Sequence, residues 1–560
     1  MPTDQESSTI SLNTSKVHLN PNSHNKLNGH QRNESSNSRS YSFLDYYGAE
    51  SPPQISSGST TIKKINGLDT ESESIDPSTS LDVLDLKDDT LCADGDVINN
   101  SKSLDSEHRE NYIQPINMAS KSEILKSNFD RYGFKKGSTL HNITMEDYNE
   151  WFNIYSDSEL RQLKKWHLLM KHHGFQIEEN NNEEYIPTRF PPRSDKVKKM
   201  IRKGIPSSWR GNAWFFYAGG YDKLNKNTGV YEKIVANTRG IKNKDTEVIE
   251  RDLNRTFPDN IYFNSNLSNN TDLKEEPNLI KSLRRVLIAF AHYQPQIGYC
   301  QSLNFLAGLL LIFMTEERTF WMLVILTEKI IPKVHSQNLE GVHTDQGVLI
   351  LCIKEYIPSL WNILGKNFDG EPLEEDKILI RLPPITLVTS SWFMSLFVGI
   401  LPIETVLRIW DILWYEGSKT IFRFSLTIFK LCLDSPDFQM NSQNGSSETE
   451  QIELFQFMQS FPKKLLDSNL LIDCCFKKIG GYGFGSLSQD EINRCRSFVS
   501  KQREKINQKN KNKSLTEMTD EEKTLIGNDI HDIYGFNRSI MSGMVWNKNI
   551  RKKLSSHKKK

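Results

Sequence analysis

The sequence predicts an all-α body, with a helical prelude ahead of its main domain and a disordered leader and tail at its ends. Three observations lead there. From about Phe129 to Phe484 apolar residues recur at spacings of three to four, the period of a helix that buries one face. No stretch sustains the period-two alternation between turn residues that marks β-hairpins. The first 120 residues, by contrast, are rich in Ser, Asn, Asp and Thr, as in NESSNSRS and ESESIDPSTSLDVLDLKDDT. Such a stretch holds too few apolar side chains to offset the entropy of ordering its backbone. The resulting division is 1–120 for the leader, 121–200 for the prelude, 201–480 for the main domain and 481–560 for a polar, basic tail.

The elements follow in order. DRYGF (Asp130 to Phe134) opens the folded part, and a helical pattern then carries Tyr148, Trp151, Phe152 and Tyr155. Leu160, Leu163, Trp166, Leu169 and Met170 extend it to Gly174, a C-terminal stop after His172 and His173. Beyond the proline-rich TRFPPRSD, the segment KVKKMIRKGIPSSWRGNAWFFYAGG reads as helix, turn, helix. Lys281 to Tyr293 is amphipathic, with Leu283, Val286, Leu287 and Phe290 on one face and Pro277 placed where a helix start tolerates it. Leu303 to Met314 and Thr319 to Ile331 are apolar on most faces, as central helices are. Gln346 to Leu360 continues the pattern, interrupted by Pro358, and Ile385 to Glu416 is aromatic-rich. Asn264 to Glu276 and Asp434 to Gln451 read as polar surface insertions, and the lysine-rich chain after Phe484 reads as a loosely ordered tail.

Composition excludes several functions. Lys+Arg and Asp+Glu balance at 70 each, so no global field draws the chain to nucleic acid. Seven cysteines without a CxxC pair argue against zinc modules and disulfide frameworks and suit reduced thiols in the cytoplasm. The opening MPTDQESSTISLN lacks the basic and apolar regions of a secretory signal. The apolar run Phe305 to Met314 is far shorter than the ~20 residues that cross a bilayer. There is no GxxxxGK[ST] phosphate loop, HExxH zinc helix or GxSxG elbow, so no nucleotide or metal site of its own is expected. GSKT (Gly417 to Thr420), His335 and His343 read as structural, and the aromatic island Tyr41 to Gly48 reads as chance clustering.

Two segments invite chemistry: IERDLNRTFP (Ile249 to Pro258) and IGYCQSLNFLAG (Ile297 to Gly308). On a helix Ile249, Asp252 and Arg255 share a face, and Thr256, Phe257 and Pro258 terminate it, so Arg255 projects near the helix end. By spacing alone Asp252 and Arg255 make an ordinary surface ion pair, worth under ~1 kcal/mol.

The combination of segments resembles the TBC domain, the catalytic module of Rab GTPase-activating proteins. RKGIPSSWRGNAW (Arg202 to Trp214) is similar to its opening motif, and Ile249, Asp252 and Arg255 match IxxDxxR. Tyr299 and Gln301 match YxQ, and WFMSLFVGILPIETVLRIWDILWYEG (Trp392 to Gly417) resembles the late motif. The motifs span 204–417, with a helical extension toward Ile479. The DRYGF prelude and the WRGNAW variant most resemble a fungal subgroup tied to polarised secretion.

The resemblance implies a cytoplasmic protein acting on GTP-bound Rab proteins in vesicle traffic and exocytosis, with Arg255 as arginine finger and Gln301 as the group orienting water. It further implies that Asp252 holds Arg255 and Tyr299 positions the glutamine segment, while Trp209, Arg210, Trp214, Arg408, Trp410 and Asp411 hold the fold. No cofactor is implied for this chain, since GTP and Mg²⁺ belong to the partner. Two other readings stay open: a catalytically silent Rab-binding scaffold, and a membrane-tethering adaptor. The second rests on Asn547 to Lys560, whose seven Lys/Arg and no acid suit peripheral contact with anionic lipid.

Overall fold

The computed structural model describes residues 120–137, 143–175, 186–267, 276–366, 371–372, 382–438, 447–477 and 483–512. The leader features Tyr41 to Gly48 and Cys92, and the basic stretch Asn547 to Lys560, lie outside these residues. The described residues are mostly helical, and their β pairing is confined to isolated bridges. None of their helices is long and apolar enough to cross a membrane.

In the prelude, α1 (Lys121–Lys126) and α2 (Met145–His172) each start on a capping box. The Ser120 and Thr144 hydroxyls accept from the backbone N–H of Glu123 and Asp147, whose carboxylates accept in return. Past the end of α2, Gly174 adopts φ 79°, a conformation that costs glycine nothing. Next come α3 (Asp195–Lys203) and α4 (Arg210–Tyr217), joined by the expected turn. That turn demands glycine at 204, where φ is 112° and a Cβ would lie 3.0 Å from the Arg408 guanidinium.

Three short helices, α5 (Gly220–Lys226), α6 (Val230–Thr238) and α7 (Lys244–Leu253), lead to α8 (Asn278–Tyr293). α8 packs against α6, α7, α9 (Leu303–Leu311) and α10 (Glu316–Ile325). Every residue of α9 is buried, which explains its lack of a polar face. After a single π-type turn, Leu326–Ile330, come α11 (Glu340–Tyr356), α12 (Pro358–Leu364) and α13 (Thr386–Ser395). The chain closes with α14 (Ile403–Glu416), α15 (Lys419–Leu433), α16 (Ser447–Ser460), α17 (Ser468–Phe476) and α18 (Gln489–Asn512).

One sequence expectation is met at Pro358, and two others need correction. The interruption expected at Pro358 falls between two helices, because Pro358 starts α12 at a position where its missing N–H has no helical partner to lose. The second polar insertion stops short of Gln451, which sits buried in α16 and donates to the carbonyls of Ile363 and Lys366 at 3.2 and 2.9 Å. The tail assigned to 481–560 contains α18, packed on α11 through buried Ile492, Cys495 and Val499. Arg496 grips the Asp345 carboxylate with two nitrogens, at 2.6 and 2.8 Å. A stripe of one apolar residue per turn is weak against a lysine-rich background, and burial rather than propensity stabilises such a helix.

The residues expected to hold the fold meet around two carboxylates on α14. Arg210, fully buried, donates to Glu404 at 2.7 Å and pairs with Asp411 at 3.3 Å. Trp214 Nε1 donates to Asp411 at 2.9 Å, Trp410 Nε1 to the Leu396 carbonyl at 3.1 Å, and Arg408 to Asn469 at 2.9 Å. Trp209 is buried against Trp166 and Phe190. Burial would push the Glu404 carboxyl up, but Arg131 and Arg210 together outweigh it and hold the group well below the usual carboxylate range. Asp411 is pushed up to about 6, burial outweighing Arg210 and Arg408.

Candidate functional site

Asn243 caps α7, its side chain accepting from Thr246 N while Thr246 answers at Asn243 N. Facing the core, the last turn buries Ile249, Asp252 and Leu253. The helix stops at Leu253, so Arg255 stands on the turn beyond it and not on a continued helical face as the spacing suggested. Thr256 ends the helix by donating its hydroxyl to the Asp252 carbonyl at 2.8 Å. Phe257 then takes φ 50° and turns the chain away.

Asp252 and Arg255 differ sharply in exposure: the carboxylate side chain is 2% exposed and the guanidinium side chain 40%. A buried carboxylate needs partners, and Asp252 has one on each oxygen. Oδ1 pairs with Arg255 Nη2 at 2.5 Å, and Oδ2 accepts from the Tyr299 hydroxyl at 2.7 Å. Burial, then the adjacent carboxylate, keeps the Tyr299 phenol protonated far above its usual range, so it serves as a permanent donor. One carboxylate thus joins the two segments that carry the candidate chemistry, 47 residues apart in the chain.

A second tie runs beside it. Asn304 Nδ2 donates to Thr256 Oγ1 at 2.8 Å, while Asn304 Oδ1 accepts from Ser302 N at 3.2 Å. Ser302 holds φ 93°, which is strained for a residue with a Cβ. Its hydroxyl lies 3.0 Å from the Met394 carbonyl and 3.1 Å from His335 Nε2, and His335 Nε2 is itself 3.0 Å from that carbonyl. Because a carbonyl only accepts, the histidine bears its proton on Nε2. Burial depresses its pKa to about 4, leaving the ring neutral at pH 7.

Gln301, between Tyr299 and this anchor, is half-buried, and its Nε2 is buried with no hydrogen-bond partner among the described residues. A buried donor left unpaired costs about 1 to 3 kcal/mol, so this amide keeps hydrogen-bonding capacity that the described residues do not fill. Burial pushes the neighbouring Cys300 thiol up to about 12, which leaves it unreactive. The described residues include no group of three or more His, Cys, Asp or Glu placed to hold a metal.

The structure therefore joins Asp252, Arg255 and Tyr299 directly and holds Gln301 beside them in the chain. Apart from these, Arg210, Trp214 and Arg408 gather on Asp411 of α14, while Trp410 and Trp209 pack nearby in the core. Sequence reasoning missed Ser302 and Asn304 as supports, while His335, read as structural, is buried against Ser302 and the Met394 carbonyl. A serine before an apolar helix reads as a plain N-cap, and nothing local announces its left-handed backbone.

This is an all-helical domain offering a permanent cation, steadied by a buried carboxylate, together with an amide of unmet hydrogen-bonding capacity. Such a site suits an anionic partner surface. Residues 207–435 match the model of the Rab-GTPase-TBC domain. GTPase-activating protein GYP3 of Saccharomyces cerevisiae is 42% identical over 501 residues, covering 79% of this chain and 76% of the relative. GTPase-activating protein MSB4 of the same yeast is 41% identical over 410 residues, covering 67% and 81%. Growth hormone-regulated TBC protein 1 of Homo sapiens is 35% identical over 302 residues, covering 54% and 77%. The chain belongs to the TBC-domain family of Rab GTPase-activating proteins, and its partners are Rab-family GTPases.

Proposed function

We propose that this protein accelerates GTP hydrolysis by GTP-bound Rab proteins by inserting Arg255 and Gln301 into the partner's nucleotide site. The carrying observation is Asp252, which steadies the exposed Arg255 with one oxygen and the segment before Gln301 with the other. Phosphoryl transfer spreads negative charge over phosphate oxygens, and catalysis of it is mainly positioning and electrostatic stabilisation. A guanidinium brings a fixed charge and a planar donor fork, whereas lysine would bring only a point charge. The Gln301 amide provides an acceptor for the attacking water and donors for a phosphate oxygen. GTP and Mg²⁺ are supplied by the partner. Action in the cytoplasm on exocytic traffic at sites of polarised growth, with peripheral membrane contact through Asn547 to Lys560, completes the reading.

Single-turnover hydrolysis on a panel of GTP-loaded Rab proteins tests it. Arg255→Ala and Arg255→Lys should each lose about 10³-fold in stimulation while remaining folded. Retention of more than roughly a tenth of the wild-type rate by Arg255→Ala defeats the proposal. Gln301→Ala should lose a comparable factor, and a partner carrying leucine in place of its own catalytic glutamine should still be stimulated. The opposite pattern for the two glutamines would assign the water to the GTPase itself.

A further inference from the structure

Resting on that reading of Arg255, we propose that the DRYGF turn of the prelude positions the arginine loop, with Phe134 as the positioning residue. The turn lies outside residues 207–435, the span matched by the family model. Yet on one side its contacts converge on 257–262, a stretch that begins two residues after Arg255.

The turn is preformed. The Asp130 carboxylate accepts from Tyr132 N and Phe134 N, both at 2.8 Å, and Asp130 N donates to the Phe134 carbonyl at 2.7 Å. Gly133 takes φ 84°, and a Cβ there would lie 2.6 Å from the Tyr262 ring, so turn and loop are in contact without space between them. Four links cross the junction. Ile261 N donates to the Gly133 carbonyl and Lys135 N to the Asp259 carbonyl, both at 3.0 Å. Asn260 Nδ2 donates to the Tyr132 carbonyl at 2.9 Å. The Phe134 ring meets Phe257 edge-on, centroids 5.1 Å apart.

Phe257 is two residues from Arg255 and holds φ 50°, a conformation that needs outside support in a residue with a Cβ. Phe263 and Phe305 pack on it from other sides, at 5.3 and 5.8 Å. Phe134 is the one ring in this cage contributed by the prelude.

The turn's other side is fixed to α2 and α14. Arg131 donates to Glu159 at 2.5 Å and to Glu404 at 3.0 Å. Tyr132 donates to Glu404 at 2.8 Å while accepting from Arg210 at 2.5 Å. The turn is therefore a strut from the Glu404 network to the arginine loop. Removing its tip leaves the loop attached but less well aimed, and small misplacements of a catalytic group cost large factors in rate.

The test uses the full chain with the GTP-loaded Rab that wild type stimulates most in the panel. Phe134→Ala, Phe134→Leu and Arg255→Ala are compared in single-turnover hydrolysis over a range of protein concentration. Phe134→Ala should lower the maximal rate about tenfold and Phe134→Leu about threefold, with half-saturating concentrations within about twofold of wild type. A role in folding alone would lower the melting temperature without this graded loss at saturation. A folded Phe134→Ala at the wild-type maximal rate, or one altered only in half-saturation, overturns the proposal. Should the alanine variant fail to fold, Phe134→Leu decides, and a wild-type maximal rate in it is the overturning result. An inactive Arg255→Ala beside a fully active Phe134→Ala removes only the strut. An active Arg255→Ala removes the arginine reading itself.

Discussion

Replacing Asp252 by asparagine probes the joint between the two candidate catalytic segments. Asparagine keeps the shape and one acceptor oxygen but removes the charge that holds Arg255 at 2.5 Å and accepts from Tyr299 at 2.7 Å. An arginine side chain carries about 2 kcal/mol of rotamer entropy. Because the guanidinium side chain is 40% exposed and already partly free, roughly half of that is at stake. An added ordering cost of about 1 kcal/mol on reaching the transition state corresponds to about a fivefold lower maximal rate. The half-saturating concentration should stay close to wild type, since the contact surface is untouched. The Tyr299 bond passes from charged to neutral acceptor, a stability loss of about 1 kcal/mol, visible as a slightly lower melting temperature. The assay is single-turnover hydrolysis at saturating protein, paired with thermal unfolding by circular dichroism. Two results refute the reasoning: a wild-type maximal rate, which would mean Arg255 needs no holder, or a loss as complete as that of Arg255→Ala, which would give the carboxylate a direct part in the chemistry.

Two further perturbations bear on the scaffold. Gly211→Ala would place a Cβ 2.1 Å from the Phe313 carbonyl oxygen, a clash with backbone that has no flexible end to yield. It should cost about 3 kcal/mol and lower the melting temperature by about 4 °C, so an unchanged melt would contradict the close packing of α4. Glu404, with its depressed pKa, stabilises the fold fully above the unfolded carboxylate pKa of about 4.3, and that contribution falls away as pH drops below it. Because Asp411, pushed up to about 6, acts in the opposite sense, the Glu404 contribution is read as the difference in unfolding free energy between wild type and Glu404→Gln, which should favour wild type at pH 7 and shrink as pH falls below about 4. A Gln variant as acid-sensitive as wild type would place the sensitivity elsewhere.

Much of this was legible in the sequence because it is written in local pattern. Spacings of three to four gave the helices, Gly174 marked the end of α2, and an i,i+3 relation paired Asp252 with Arg255. The motif residues, separated along the chain, carry the resemblance to the family. Pro358 marked the interruption that starts α12, but where a pattern was diluted the reading failed: Ile492, Cys495 and Val499 among lysines concealed α18.

By itself, the sequence determined the fold class, the family and which arginine and glutamine to examine. Helical period, capping and motif spacing are properties of neighbours along the chain, and they survive without a partner surface. Only the tertiary structure decided that Asp252 also holds Tyr299, that Ser302 is pinned in a left-handed conformation by Met394 and His335, and that DRYGF braces the arginine loop. Those contacts join residues from 33 to more than 100 positions apart. Their partners are chosen by which helix faces must share one buried core, a collective outcome that no single segment encodes.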